Sequence, residues 1–301
     1  YRLINIFSKY FSNYLIKRWN PDIIHETYYS SIKFHTKKTI KVLTVYDMIH
    51  EVFTNKFFDK NDPNLIKKKN AIRRADHIIS ISESTKIDLI KYFPEVENKI
   101  TVIKLGFELF NNNNIDSIKF KVKKNKPYIL YVGDRNQLKN FKNFVKAFSN
   151  SNFLKKNYDI LIFGNNKLSQ DENKLFYELN ILNNINFISG DDNLLSECYV
   201  NASLFVYPSL YEGFGLPLLE SMGYECPVVC SDNSSFPEVA GNASVFFNPY
   251  DIESMQMAIE KVLKNKDLQI AMIKEGKVQC NKFTWKKNAE ETFNLYNTLL
   301  K

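Results

Sequence analysis

Apolar runs of four to six residues recur along the chain, separated by amphipathic stretches long enough for helices. At the start, Leu3, Ile6, Phe7, Phe11, Tyr14 and Leu15 fall at helical spacing, with Lys9, Lys17 and Arg18 elsewhere on the helix. We read residues 1–19 as a helix facing the core of an α/β layer; a helix lying on a membrane surface is the alternative. Pro21 ends it, and strands follow at Asp22–His25, Thr39–Val45, Ala75–Ser82 and Ile100–Leu105. Helices are expected over Lys67–Arg74 and from a Ser82 or Ser84 cap to Tyr92. The periodicity then stops. Four consecutive asparagines, Asn111–Asn114, and a lysine-rich stretch up to Pro127 mark a linker over 107–126.

The pattern resumes with a strand at Tyr128–Val132 and a helix from Phe141 to Phe148. Strands at Ile160–Phe163, Asn186–Ile188, Leu204–Tyr207, Pro227–Cys230 and Ala243–Phe247 alternate with helices through Leu175–Leu182, Leu194–Asn201 and a short one after Gly215. Helices at Ile252–Asn265, Leu268–Cys280 and after Thr284 close the chain. The strands are nearly continuous apolar runs, as parallel strands covered on both faces require. The expected architecture is two doubly wound, Rossmann-like α/β domains. These are an N-terminal domain over 1–106 and a C-terminal domain over 127–282, with a last helix over 283–301 expected to pack back on the first domain. In such domains ligands bind where strand carboxyl ends lead into helices.

Composition narrows this only moderately. The 301 residues suffice for two domains, and 44% hydrophobic with 25% charged residues is ordinary for a globular protein. The net charge of +8, from 41 basic and 33 acidic residues, is spread out. It reads first as a solvated basic surface, then as attraction to an anionic substrate or a membrane surface. No nucleic-acid recognition motif is visible. The four cysteines, Cys198, Cys226, Cys230 and Cys280, are expected to be reduced thiols of a cytoplasmic protein. Cys226 and Cys230 lack the companions that would finish a zinc site. No apolar run is long enough to span a bilayer.

Chemistry concentrates in loops of the C-terminal half. Tyr207–Ser231 runs from a strand end through a glycine-bearing loop into a helix and then a second strand. Gly213 and Gly215 permit close backbone approach to a ligand, and the amides that follow form an anion site backed by the helix dipole. Glu212 and Glu220 bracket that cradle with seven residues between them. A carboxylate on each side suits a phosphate carrying sugars, whose hydroxyls need acceptors. In the loop from Gly133 to Asn140, Arg135 as a planar fork and Lys139 as a point charge could reach one diphosphate. Gly190-Asp191-Asp192 is a third, less specific loop.

Glu212-Gly213-Phe214-Gly215-Leu216-Pro217-Leu218-Leu219-Glu220, preceded by Tyr207-Pro208-Ser209, resembles the signature of retaining glycosyltransferase family 4. Tyr131-Val132-Gly133-Asp134-Arg135 with Lys139-Asn140, Pro237–Gly241 and Phe283-Thr284-Trp285 agree with it. Weaker N-terminal matches cover Pro21–His25, Thr44–Glu51 and Ser80–Thr85. The resemblance implies a GT-B fold, two such domains facing across a cleft, with a nucleotide-sugar donor held by the C-terminal domain. On that basis Glu220 would hold the ribose hydroxyls and Glu212 would lie near the donor sugar and reacting centre. Phe214, Gly215 and Leu216 would offer backbone amides to donor sugar and phosphate, with Gly133 and Gly190 also on the donor side. Arg135 and Lys139 would stabilise the leaving diphosphate. No cofactor and no metal is then called for.

Two departures matter. Many relatives carry a histidine where this chain has Tyr46, which is a poor base at neutral pH. Asp47, taken as catalytic, and His50 are the nearby groups that could substitute, with Tyr46 and His50 as acceptor-side candidates. Relatives also open with a strand and glycine-bearing loop that has no counterpart here, so the N-terminal domain is expected to be truncated. The reading is a retaining glycosyltransferase moving a sugar, mannose first, from a GDP- or UDP-linked donor to a glycan or lipid-linked acceptor. It would be cytoplasmic, with peripheral membrane contact. A glucosyltransferase or nucleotide-sugar epimerase on the same fold, or an inactive sugar-nucleotide-binding module, are the alternatives.

Overall fold

The computed structural model describes residues 11, 12, 14–30, 38–109 and 126–301. The chain divides into two compact units, one of Tyr1–Leu105 with Lys286–Lys301 and one of Gly106–Trp285. Each is built on a parallel sheet.

The first unit contains β1 (Ile23–Glu26), β2 (Ile40–Val45), α1 (Ile49–Val52), α2 (Pro63–Arg74), β3 (His77–Ser80), α3 (Glu83–Tyr92) and β4 (Ile100–Val102). Side chains alternate across the sheet with period two. Leu43, Val45 and Ile78 pack with Ala71, Ile72 and Leu89 on one face, while Val42, Ile79 and Ile103 meet Leu295, Tyr296 and Leu299 on the other. Those last three side chains belong to the C-terminal helix, Trp285–Leu299. His25 fastens it, its ring nitrogens lying 2.5 Å from the Tyr296 hydroxyl and 2.7 Å from Thr44 Oγ1.

The second unit contains β5 (Tyr128–Val132), α4 (Phe141–Asn150), α5 (Asn152–Asn157), β6 (Asp159–Phe163), α6 (Gln170–Glu178), β7 (Ile185–Ile188), α7 (Asp192–Val200), β8 (Leu204–Tyr207), α8 (Leu216–Gly223), β9 (Val228–Ser231), α9 (Phe236–Ala240), β10 (Ser244–Phe247), α10 (Ile252–Leu263) and α11 (Lys266–Cys280). The C-terminal helix is α12. The strand order is β10-β9-β8-β5-β6-β7. Order therefore reverses between β5 and β8, and the carboxyl ends of the strands at such a reversal are the usual position of a ligand crevice. A core of Ile129, Tyr131, Ile160, Val206, Phe144, Phe148 and Ile259 fixes one face of the sheet. On α11, Gly276 lets α8 approach closely, since a Cβ there would lie 3.2 Å from Met222.

Both sheets are parallel, as expected, and among the described residues the strand-order reversal lies in the second. Two expectations are corrected. Phe107–Leu109, expected in the linker, join the second unit: Phe107 N–H donates to Phe283 O at 3.0 Å, and Phe107 and Leu109 pack over Gly223. The rest of the expected linker, 110–125, lies outside the described residues. So do Leu3, Ile6 and Phe7 of the first helix. Its described part does not face a core, because Phe11, Tyr14, Leu15 and Trp19 are exposed.

Candidate functional site

The two strands flanking the reversal each contribute one loop to the site. After β5 the chain turns at Gly133, whose φ of 119° a side chain would strain. Among the described residues, its chain neighbours aside, no atom lies within 4 Å of where its Cβ would be. Arg135 follows. Its Nε donates to Glu172 Oε1 at 2.5 Å and its Nη2 to Glu172 Oε2 at 3.3 Å, Asn166 O at 2.8 Å and Lys167 O at 3.0 Å. The fork is thus held by the first turn of α6. Glu172 also closes a capping box there, accepting from Ser169 N–H at 2.7 Å while its own N–H reaches Ser169 Oγ. Burial alone would raise the Glu172 carboxyl pKa, but hydrogen bonds from Arg135 and Ser169 outweigh it and hold it below its usual value.

Lys139, later in the same loop, does not join Arg135 on a common partner. Its Nζ donates to Glu212 Oε1 at 2.6 Å and lies 5.9 Å above the Tyr207 ring. This contact ties the β5 loop to the β8 loop, with Leu210 N–H to Leu138 O at 2.8 Å as a second tie. Burial first, and then the Glu212 carboxylate beside it, push the Tyr207 phenol well above its usual pKa.

The β8 loop reaches α8 through Gly215, the N-cap, at φ 104°. A Cβ there would also sit 3.3 Å from Leu218 and Phe236, so glycine is required twice over. Pro217 occupies the first helical turn, where its missing N–H costs nothing. Leu216 starts the helix and Phe214 is buried edge-on to Phe283, ring centroids 5.6 Å apart. Two serines beyond β9 clamp the loop. Ser234 Oγ accepts from Glu212 N–H at 3.1 Å, and Ser235 Oγ lies 3.0 Å from Glu212 O and 2.7 Å from Phe214 O.

Glu220, on α8, accepts from the Tyr199 hydroxyl at 3.0 Å, and Tyr199 in turn stacks on Tyr224. Burial raises the Glu220 pKa, the Tyr199 hydrogen bond opposes it, and Asp192 adds to the rise. Gly190 is exposed, and a Cβ there would press on the Leu194 side chain, Cδ2 lying 2.5 Å away. Asp191 is spent on capping α7.

Sequence reasoning thus placed Gly133, Arg135, Lys139, Gly190, Glu212, Phe214, Gly215 and Leu216 in loops and helix starts at strand carboxyl ends of one unit, where they lie, with Glu220 in the second turn of α8. It missed Glu172, Tyr199, Ser234 and Ser235. Only Glu172 left a local trace, the Ser169-to-Glu172 capping spacing.

Tyr46, Asp47 and His50 occupy the equivalent end of β2 in the first unit. Asp47 Oδ1 accepts from Ile49 N–H at 3.0 Å, Tyr46 is half-buried, and the His50 ring packs 4.3 Å from Phe58. Among the described residues no group of three or more His, Cys, Asp or Glu is placed to hold a metal ion, and no helix is long and apolar enough to cross a membrane. The cysteines are unpaired, and burial pushes Cys226 and Cys230 up to about 12.

The chain is 30% identical over 251 residues to the O-antigen chain mannosyltransferase RfbU of Salmonella typhimurium, covering 82% of this chain and 67% of that protein. It is 26% identical over 235 residues to O-antigen chain mannosyltransferase B of Escherichia coli, covering 75% of this chain and 61% of that one. The chain therefore spans about two thirds or less of the length of these relatives. Sucrose-phosphate synthase from Thermosynechococcus elongatus shares the fold, with a TM-score of 0.78 at 20% identity over 97% of this chain and 77% of that one. A model described as Glycosyltransferase Family 4 matches residues 2–109. One described as Glycosyl transferases group 1 matches residues 112–279, more than half of the chain, and the protein belongs to that family of GT-B glycosyltransferases.

Proposed function

We propose that the protein is a retaining glycosyltransferase that moves mannose from a nucleoside-diphosphate donor, GDP-mannose first, to a glycan or lipid-linked acceptor. The observation that carries this reading is the Lys139–Glu212 contact beside the glycine turn that opens α8. It sets a cation, a carboxylate and helix-start amides together at the strand-order reversal, and a sugar diphosphate needs all three. The mannosyl assignment leans on the names of the two O-antigen relatives.

In the reaction the bond from the anomeric carbon to the β-phosphate oxygen breaks, and the acceptor hydroxyl oxygen bonds that carbon from the same face. The acceptor proton passes to the departing phosphate. Charge grows on that phosphate in the transition state, so preorganised donors stabilise it more there than in the ground state. Lys139 and Arg135 supply positive charge, and the amides from Phe214 to Leu216 supply dipoles. A phosphate beside Lys139 shares the ammonium with Glu212, whose second oxygen can accept from a donor-sugar hydroxyl. Glu220, held by Tyr199, accepts from the ribose. Tyr46, Asp47 and His50 are assigned to the acceptor side. With the leaving group stabilised by side chains and amides, the reaction is assigned no metal.

A lipid-linked acceptor implies work at a membrane surface, on the cytoplasmic side where unpaired thiols persist. Exposed Phe11, Tyr14, Leu15 and Trp19 beside Lys17 and Arg18 supply an anchor for anionic lipid. The test of the reading is turnover of a donor panel with the product examined by NMR. GDP-mannose should be consumed fastest, in chelator as in buffer, giving an α-linked product. An inverted anomer, or dependence on added divalent cation, would remove the retaining or metal-free assignment respectively.

A further inference from the structure

A buried ammonium loses hydration that only well-matched partners return, so a lysine inside a core calls for an explanation. Lys68, on α2, is 1% exposed. Its Nζ donates to Glu51 Oε2 at 2.7 Å and lies 3.4 Å from Asp47 Oδ1, with the Tyr29 ring centroid 5.6 Å away. Glu51 is itself buried, and its Oε1 has no hydrogen-bond partner among the described residues. Two carboxylates on one ammonium, with one carboxylate oxygen unsatisfied, is a poor arrangement if stability were its purpose. Apolar side chains of similar volume commonly serve a core as well or better.

What the cluster does hold is Asp47. Oδ1 of that carboxylate is engaged from behind by Lys68 and by Ile49 N–H, while the side chain remains 35% exposed. A carboxylate fixed through one oxygen can offer the other in a set direction. We propose that Lys68 and Glu51 are positioning residues for Asp47, the ammonium being locked by Glu51 so that the free carboxylate oxygen is presented to an acceptor hydroxyl. This deepens the glycosyltransferase reading and rests on it for the identity of the hydroxyl.

The experiment uses the charge-neutral double variant Glu51→Leu/Lys68→Met, which removes the pair without stranding either charge. Its melting temperature should stay near that of the wild type, and its affinity for nucleoside diphosphate should be unchanged. Its kcat should fall at least about tenfold, within the ~100-fold that a misplacement of about 1 Å can cost. The discriminating step is to add Asp47→Asn. If Lys68 acts through Asp47, the double variant produces no further loss in that background, whereas an independent structural effect would add. A crystal structure of the double variant should show the Asp47 carboxylate turned from its present position. Additive losses, or an Asp47 that stays in place, overturn the proposal. A wild type that releases no nucleoside diphosphate from any donor overturns the functional reading instead, and the position of Asp47 still decides the inference.

Discussion

Glu172 and Glu220 belong to the same unit, yet their surroundings push their carboxyl groups in opposite directions. Glu172 is held below its usual pKa by Arg135 and Ser169, so its ionised form favours the folded state. That contribution is present above the unfolded value of about 4.3 and is lost as pH falls through the lowered one. Glu220 is raised by burial, so its ionised form opposes folding at neutral pH, and the penalty disappears below about 4.3. Thermal melts from pH 4 to pH 8 should therefore separate the two. Glu172→Gln should melt below the wild type at pH 7 and Glu220→Gln above it; on acidification the Glu220 gap should nearly close by about pH 4, while the Glu172 gap should persist to that pH. Glu220→Gln should also bind nucleoside diphosphate more weakly, as expected of a residue kept charged for its ligand at some cost in stability.

At the scale of elements, the loop from β8 to α8 is held by hydrogen bonds from outside it. Ser235 Oγ bridges the Glu212 and Phe214 carbonyls from the turn before α9. Ser235→Ala should cost about 1–3 kcal/mol in urea unfolding, the range for unpaired buried polar groups, and weaken donor binding in titration. Gly215→Ala should cost a further ~1–3 kcal/mol for a non-glycine residue at positive φ. Neither serine was legible in the sequence, since a clamp between loops some twenty residues apart has no periodicity. By contrast Tyr128–Val132 was legible to the residue, an apolar run fenced by Pro127 and Gly133. Helix starts were read late at α2 and α6, capped by Asp62 and Ser169, but on time at α10, capped by Asp251. The short α1, α5 and α9 offer too few turns for an apolar stripe to show.

Across the whole molecule, the two parallel-sheet units and the strand-end position of the candidate site residues were readable because strand-end glycines, a helix-start proline and spaced carboxylates lie close together in the chain. Side-chain partnership was not. Arg135 and Lys139 read as a pair on one diphosphate, whereas the fold gives each its own carboxylate, Glu172 and Glu212. The Lys68 cluster escaped because residues 47, 51 and 68 meet only after β2 and α2 pack. The central claim, that the Lys139–Glu212 pair at the β5–β8 reversal serves transfer from a nucleotide sugar, is tested most directly by release of GDP from GDP-mannose. The wild type should release GDP, and Glu212→Ala should do so at a rate lower by about 100-fold, the loss expected when reacting groups are misplaced by about 1 Å, while still folding. Saturable donor binding without release of any nucleoside diphosphate, or release undiminished in Glu212→Ala, would contradict it.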